Sequence, residues 1–295
     1  MKELIEKADV LLEALPYIQR FRNSTFVIKY GGSFMDSPDP KVRGSVAADI
    51  VFLEACGINP VVVHGGGKAI TRGMDAAGLK AEFVMGMRVT DEASMKIVED
   101  VLDLVINREI VETIQKLGGK ARGYSGKQIF RCKKLASGGA DLGYVGEITE
   151  VDATKVRTCL RRSITPVISP IALGAKDGST SLTAGRHAYN VNADVAAAQL
   201  AAAIGARRLI FLSDVPGLLH NPKDESTLVS HLSIDEVGEF KEKGIIDKGM
   251  IPKVQSAVEA LNAGVHRVHF IDGRVPHSLL LEIFTDKGIG TEIVK

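Results

Sequence analysis

The chain has only three cysteines in 295 residues, Cys56, Cys132 and Cys159. They are odd in number, far apart and in no CxxC pair, which excludes a disulfide framework and a cysteine-based zinc site. Charge of one sign is also missing. With 37 basic and 36 acidic side chains the net charge is +1, so nothing electrostatic points to nucleic acid or a membrane surface as partner. No apolar run approaches the roughly 20 residues of a membrane span, and the N-terminus lacks the basic-then-apolar pattern of a signal peptide. The expectation is a soluble, cytoplasmic protein. Two common nucleotide signatures are absent as well. There is no Walker A loop (Gly126-Lys127 is followed by Gln128) and no G-x-G-x-x-G after a strand, which weighs against a P-loop NTPase and a dinucleotide dehydrogenase. Internal repeats, low-complexity tracts and Gly/Ser linkers are absent too.

What is present is a βαβα rhythm. Strand-like runs rich in Val, Ile and Phe fall at 25–29, 60–63, 165–169, 207–212 and 267–271, with helical patterns at 41–56, 68–77, 91–117, 193–204 and 252–263. This predicts an α/β fold, a three-layer αβα sandwich on a largely parallel central sheet. Residues 120–150 read as hairpins projecting from the sheet edge. Ahead of the first strand, Leu4, Ile5, Ala8, Leu11, Leu12 and Leu15 form a stripe at helical spacing that Pro16 closes or kinks;. That stripe must be buried on its own domain or on another subunit. The organisation expected is an N-terminal helix over 1–22, a lobe over 23–175 and a second lobe over 176–295, both on one sheet.

Two strands empty into glycine turns beside lysines: Lys29-Tyr30-Gly31-Gly32 and His64-Gly65-Gly66-Gly67-Lys68. Glycine lets backbone N–H groups approach phosphate oxygens, and the helix that begins near Lys68 adds its positive end, so together they describe an anion cradle. His64 has the chemistry of a base, although a histidine beside a glycine turn is more often a hydrogen-bonded structural one. Arg88, just before a helix that Thr90 or Asp91 caps, has the fork to clamp a carboxylate. In Tyr189-Asn190-Val191-Asn192-Ala193-Asp194, the asparagines offer amide donors and Asp194 enters the first turn of an Ala-rich helix;. Asp194 serves there as a helix-end charge or as a holder of two lysines. Ser213-Asp214 follows a strand at the carboxyl edge, where α/β sheets bind ligands. Gly249-Met250-Ile251-Pro252-Lys253 sets a third lysine at a helix start, with Pro252 suited to the first helical position.

Taken in order from about residue 25 to 293, the segments KYGG, VVVHGGGK, GMRVTD, GEI, TPVISPIA, YNVNAD, SDVPGLL and GMIPK, with the C-terminal tail from His266, resemble the amino acid kinase family. The resemblance implies transfer of the γ-phosphoryl of Mg²⁺-ATP to the side-chain carboxylate of N-acetyl-L-glutamate in arginine biosynthesis. It implies Lys29 and Lys253 as cations flanking the transferred group, with Asp194 orienting both. Gly32, Gly65, Gly66, Arg88 and Asn190 are then substrate-binding. Asp214, Val215, Pro216, Gly217, Leu218 and Leu219, with Ile245, Ile246 and Asp247, line the nucleotide pocket. The metal is held mainly by the ATP phosphates rather than by protein ligands. The N-terminal helix and the tail resemble the arginine-inhibited subgroup, in which such helices link dimers into a hexamer. His269, Glu282, Gly288 and Gly290 match its L-arginine site. No motif marks a site for a PII-type regulator. Ser33-Phe34-Met35, Leu104 to Arg108 and Gly126 to Ile129 depart from the family pattern without removing a catalytic position. Another amino acid kinase acting on a related carboxylate, or a non-catalytic arginine or nucleotide sensor, is the alternative.

Overall fold

In the computed structural model the described residues are 1–37, 39–84, 86–136, 139–174, 187–247 and 249–295. The chain opens with helix α1 (Lys2–Phe21), strand β1 (Thr25–Tyr30), α2 (Pro40–Ala55), β2 (Asn59–His64) and α3 (Gly67–Ala76). A short hairpin of β3 (Phe83–Val84) and β4 (Met87–Arg88) leads into α4 (Glu92–Glu99), which continues through a wider π-type segment, Asp100–Ile106, into α5 (Asn107–Lys116). Next come β5 (Ala121–Tyr124), β6 (Phe130–Lys134), β7 (Gly146–Val151), α6 (Thr154–Leu160), β8 (Thr165–Ile168) and β9 (Ile171–Gly174). The rest of the chain holds β10 (Ala188–Asn190), α7 (Ala193–Ile204), β11 (Arg208–Ser213), β12 (His231–Ser233), α8 (Val237–Glu242), α9 (Ile251–Asn262), β13 (Arg267–Asp272), α10 (Ser278–Ile283) and β14 (Thr291–Val294).

Eight strands form the main sheet in the order β12-β14-β13-β11-β1-β2-β8-β5. Every pairing in it is parallel except that of β13 with β14. Its central strands are apolar on both faces, as a sheet covered twice requires. Val27, Val61, Val63, Leu209 and Phe211 face Ala197, Leu200, Val254 and Leu261 of α7 and α9. The alternate residues Ile28, Val62, Ile210 and Leu212 face Val46, Ile50, Ile110 and Leu279 of α2, α5 and α10. The result is the three-layer αβα arrangement on a largely parallel sheet. A second sheet, β10-β9-β6-β7, stands beside it.

Three expectations change. Residues 121–124 are not part of a projecting hairpin; they form the edge strand of the main sheet, parallel to β8. The hairpin itself is β6 with β7, antiparallel, within the second sheet. Pro16 does not close the first helix, which runs on to Phe21, and Pro252 sits second in α9 rather than first. The lobe boundary expected at 175/176 falls within 175–186, outside the described residues.

Helix α1 meets the domain only through its last turns, where Tyr17 and Ile18 are half-buried and Phe21 is buried. Its stripe is uncovered, with Leu4, Leu11 and Leu12 each more than 60% exposed. Among the described residues no helix is long and apolar enough to cross a membrane.

Candidate active site

Strand alternation decides where Lys29 points. It shares parity with Val27, so its side chain turns to the α7/α9 layer rather than to α2;. There it meets Asp194, whose place is fixed by the start of α7. Asn192 is the N-cap, its Oδ1 accepting from the N–H groups of Asp194 (2.8 Å) and Val195 (3.2 Å);. The alanine face of α7 lets that helix lie close to the strands. Lys253, third in α9, approaches from the other side. The turn before it is held by Asp247, whose Oδ1 accepts from Gly249 N and Met250 N at 3.1 Å each.

Asp194 divides its carboxylate between the two lysines: Lys29 Nζ lies 3.1 Å from Oδ1 and Lys253 Nζ 2.7 Å from Oδ2. Burial alone raises the pKa of Asp194, but Lys29 and then Lys253 outweigh it and bring it down to about 2;. For Lys29, burial dominates and lowers its pKa below the ordinary lysine value, Asp194 opposing and Lys253 adding to the shift. One anion between the buried Lys29 and the half-buried Lys253 leaves a net positive centre at the sheet edge.

In front of it opens a cavity of about 630 Å³ whose lining includes Lys29, Gly65, Gly66, Arg88, Asn190 and Asp194. Gly66 has no room for a side chain, since a Cβ there would stand 2.5 Å from Ile106 Cδ1 and 2.7 Å from Leu102 Cδ2. Gly65 differs from expectation, because its N–H already donates to Tyr30 O at 2.8 Å. Amides without intrahelical partners begin instead with the first turn of α3, whose N-cap is Gly66;. Arg88 is buried, its guanidinium over the Phe83 ring at 4.7 Å. It donates through Nη2 to Gly67 O (2.9 Å) and Thr71 Oγ1 (2.8 Å) and through Nη1 to Met74 Sδ (3.3 Å), which ties the β3–β4 hairpin to α3 while Arg88 borders the cavity. Asn190 is half-buried, its Nδ2 3.4 Å from Thr90 Oγ1. The predicted cap of α4 is Asp91, which accepts from Ser94 N at 2.7 Å.

Gly32 and Asp214 line a neighbouring cavity of about 450 Å³ that shares Gly66 and also includes Lys68. Asp214 Oδ1 accepts from Ser33 N (2.5 Å) and Ser33 Oγ (2.8 Å), pinning the loop after β1 to the loop after β11. Of the other residues expected around a nucleotide, Val215 is exposed, Pro216, Leu219 and Ile245 are half-buried, and Gly217 is buried. Leu218 and Ile246 are built into the core, so only their backbone can face a ligand. The departure at Gly126 to Ile129 is a short turn whose Lys127 pairs with Glu99 rather than lining the 630 Å³ cavity.

His269, Glu282 and Gly288 border a third cavity of about 500 Å³, closed on one side by Tyr17, Arg20 and Phe21 of α1. Glu282 is less available than its sequence context implies. Its Oε1 is 2.6 Å from His269 Nδ1, and its Oε2 accepts from Ile289 N (2.7 Å) and Gly290 N (3.0 Å). Asp286 and Glu292 are the further carboxylates in that lining.

His64 is not placed to act as a base. It is fully buried, with Nδ1 3.0 Å from Gly65 O and Nε2 3.2 Å from Asn107 Nδ2, and burial lowers its pKa to about 4. Asn107 and the Ser33–Asp214 clamp were not singled out from the sequence. Asn107 carries no signal there beyond being a polar residue within an otherwise amphipathic helix.

A parallel sheet with its glycine turns, two lysines and a shared carboxylate gathered at one carboxyl edge defines a phosphoryl-transfer scaffold. The chain belongs to the amino acid kinase family, whose model matches residues 24–272, and its membership implies the use of ATP. It is 47% identical to an acetylglutamate kinase of Heliobacterium modesticaldum, each chain covered over its full length. It is 48% identical to that of Carboxydothermus hydrogenoformans, covering 99% of both chains. Among solved structures it resembles the N-acetylglutamate synthase of Neisseria gonorrhoeae complexed with coenzyme A and N-acetyl-glutamate, with a TM-score of 0.82 at 28% identity. That likeness covers 98% of this chain but spans 63% of the synthase chain.

Proposed function

We propose that the protein transfers the γ-phosphoryl group of ATP to the side-chain carboxylate of N-acetyl-L-glutamate, giving N-acetyl-L-glutamyl 5-phosphate in arginine biosynthesis. The observation that carries the chemistry is the single carboxylate of Asp194 between Lys29 and Lys253. A carboxylate substrate is already a nucleophile at neutral pH, so the site needs alignment and charge neutralisation rather than a base. Lys29 serves the acyl side and Lys253 the ATP side of the moving group, with Asp194 setting their separation. The amides of Gly32 and Gly66, continued by the first turn of α3, meet the phosphoryl group and acetylglutamate, while the Gly65 N–H is held by Tyr30 O. Arg88 and Asn190 take the substrate's α-carboxylate and amide. Residues 214–219 and 245–247 hold the nucleotide, so the first lobe binds the acyl substrate and the second binds ATP.

The carboxylates at this edge fit a metal carried by the nucleotide: Asp194 is spent on two lysines and one oxygen of Asp214 on Ser33. Mg²⁺ bound to the ATP phosphates would supply charge neutralisation, with no protein group required to hold it.

L-Arginine, as feedback inhibitor, would occupy the 500 Å³ cavity, its guanidinium near the carboxylates of Glu282, Asp286 and Glu292. The uncovered stripe of α1 supports a homo-oligomer, a hexamer built of dimers through these helices. The test of the catalytic reading is ATP consumption with N-acetylglutamate compared with glutamate: turnover on acetylglutamate is expected, and turnover on glutamate alone overturns it.

A further inference from the structure

A polar ladder runs along one side of the long helical stretch from α4 to α5. Glu99, Asp103 and Asn107 follow at intervals of four across the π-type segment, and each reaches the carboxyl edge of the sheet. Glu99 pairs with Lys127, and Asp103 accepts from Ser169 Oγ at 2.5 Å. Ser169 Oγ in turn accepts from Gly126 N at 3.1 Å. Asn107, 5% exposed and first in α5, reaches deepest. Its Nδ2 donates to Val167 O at 3.0 Å and stands 3.2 Å from His64 Nε2. Its Oδ1 occupies the space over Gly123, where a Cβ would come within 2.1 Å.

The chain of donors has one consistent direction. Val167 O can only accept, so the group facing it is the amide nitrogen of Asn107, not its oxygen. His64 Nε2, facing the same nitrogen, must then be the acceptor, which puts the imidazole proton on Nδ1. Nδ1–H donates to Gly65 O, 3.0 Å away. On its other side Gly65 is fixed through its N–H to Tyr30 O at 2.8 Å. Peptide planarity then fixes Gly66 N–H through Gly65 C=O, because the two belong to one trans peptide unit and point in opposite directions. His64 and Asn107 line neither of the two cavities, so they act through this peptide plane.

We propose that Asn107 is a positioning residue for the acyl-substrate site: it holds His64 as the Nδ1–H tautomer, and His64 thereby aims the Gly66 amide into the cavity that Lys29 and Arg88 line. The inference rests on the reading that the Gly65-Gly66 turn binds acetylglutamate. It assigns a function to a buried histidine that catalysis does not use and to an asparagine placed inward by the wide turn before it. Neither residue lines the 450 Å³ cavity that Asp214 borders, but Gly66 does, so KM for ATP is measured beside KM for acetylglutamate.

The experiment uses the full-length enzyme, the variants Asn107→Ala and His64→Phe, and two readouts. Nitrogen chemical shifts of the imidazole by NMR report the tautomer without reference to activity. Steady-state kinetics separate KM for acetylglutamate from KM for ATP. The wild-type protein is expected to show Nε2 unprotonated, and Asn107→Ala to release the ring into a mixture of tautomers. Both variants should raise KM for acetylglutamate about five- to tenfold, the scale of one lost oriented hydrogen bond, with KM for ATP within about twofold. A wild-type His64 protonated on Nε2, or a tautomer unmoved by Asn107→Ala, overturns the proposal. So does a tautomer change with both KM values unchanged, or an equal rise in both. Should Asn107→Ala fail to fold, Asn107→Ser, a smaller polar replacement, carries the same two measurements. Failure of the underlying functional reading looks different: the wild-type enzyme would then show no acetylglutamate-dependent ATP consumption, whatever the state of His64.

Discussion

Lys29 and Lys253, from strand β1 and helix α9, face the two oxygens of one buried carboxylate at 3.1 and 2.7 Å. Their spacing is therefore set by Asp194 rather than by either lysine's own element. Asp194→Asn keeps the side-chain shape but leaves two cations in a buried space with no counter-charge. We expect kcat to fall by about 10²- to 10³-fold, the loss typical of an electrostatic transition-state device. Lys253→Ala should reduce kcat on a similar scale while KM for acetylglutamate changes little. Steady-state rates decide both, and a Lys253→Ala enzyme with unchanged kcat would remove Lys253 from the mechanism.

The same triad predicts a pH signature. Burial places the pKa of Lys29 below the ordinary lysine value, with Asp194 resisting. Activity should then decline on an alkaline limb that begins below the pH at which a free lysine titrates, as Lys29 loses the charge that steadies the phosphoryl group. Stability moves the other way there: the unfolded chain binds more protons at Lys29 than the folded one, so this group's contribution rises with pH through the window. For Asp194, folded pKa about 2, the stabilisation is present above the unfolded value near 3.9. It is lost as pH falls through the folded value. A kcat profile that stays flat to pH 10.5 contradicts the alkaline limb.

The strands that set the site could be read from the chain because both their faces are buried. β1, β2, β8, β11 and β13 appear as short runs rich in Val, Ile, Leu and Phe. Edge elements could not. β5 is only Ala121–Tyr124, and its exposed Arg122 and Gly123 erase the apolar pattern. The Lys29–Asp194–Lys253 set came from matching motifs, since nothing in local spacing joins residues on three separate elements. Gly65 shows what register adds. Its N–H is consumed by Tyr30 O because β1 and β2 align Tyr30 with His64, a fact no motif contains. Asn107 lay out of reach for a related reason: its inward direction depends on the π-type segment, which a 3.6-residue period does not anticipate.

Two glycine substitutions should separate close approach from chain entropy. A Cβ on Gly290 would stand 2.2 Å from Phe270 O, a backbone atom that cannot step aside. Gly290→Ala should therefore destabilise by about 2–3 kcal/mol, as overpacking and backbone shifts do. Gly238 lies in α8 with open space around its Cβ position, so Gly238→Ala should stabilise by about 0.5 kcal/mol through the unfolded chain. Thermal unfolding of the two variants beside the wild type measures both, and equal midpoints for the two would count against the packing at Gly290.

Helix α1 links the last prediction to regulation. Its stripe is uncovered from Leu4 to Leu15, whereas Tyr17 reaches Asp286 and Phe21 closes the wall of the 500 Å³ cavity. One helix thus carries an uncovered apolar face and closes one side of the proposed arginine site. Six exposed large aliphatic side chains on it would each contribute about 1.5–3 kcal/mol if fully buried, ample for stable association of two such helices. Full-length protein should therefore run as the proposed hexamer in light scattering, and deletion of residues 1–20 should reduce it to dimers. The same deletion removes Tyr17 and Arg20 from the cavity, so arginine should no longer raise the KM for acetylglutamate. Glu292→Gln in the full-length chain separates the two effects: it should weaken the proposed inhibition by arginine while leaving the proposed hexamer intact. A truncated protein that remains hexameric would refute the role of α1 in assembly, and one that is dimeric yet fully inhibited would move the arginine site away from this cavity.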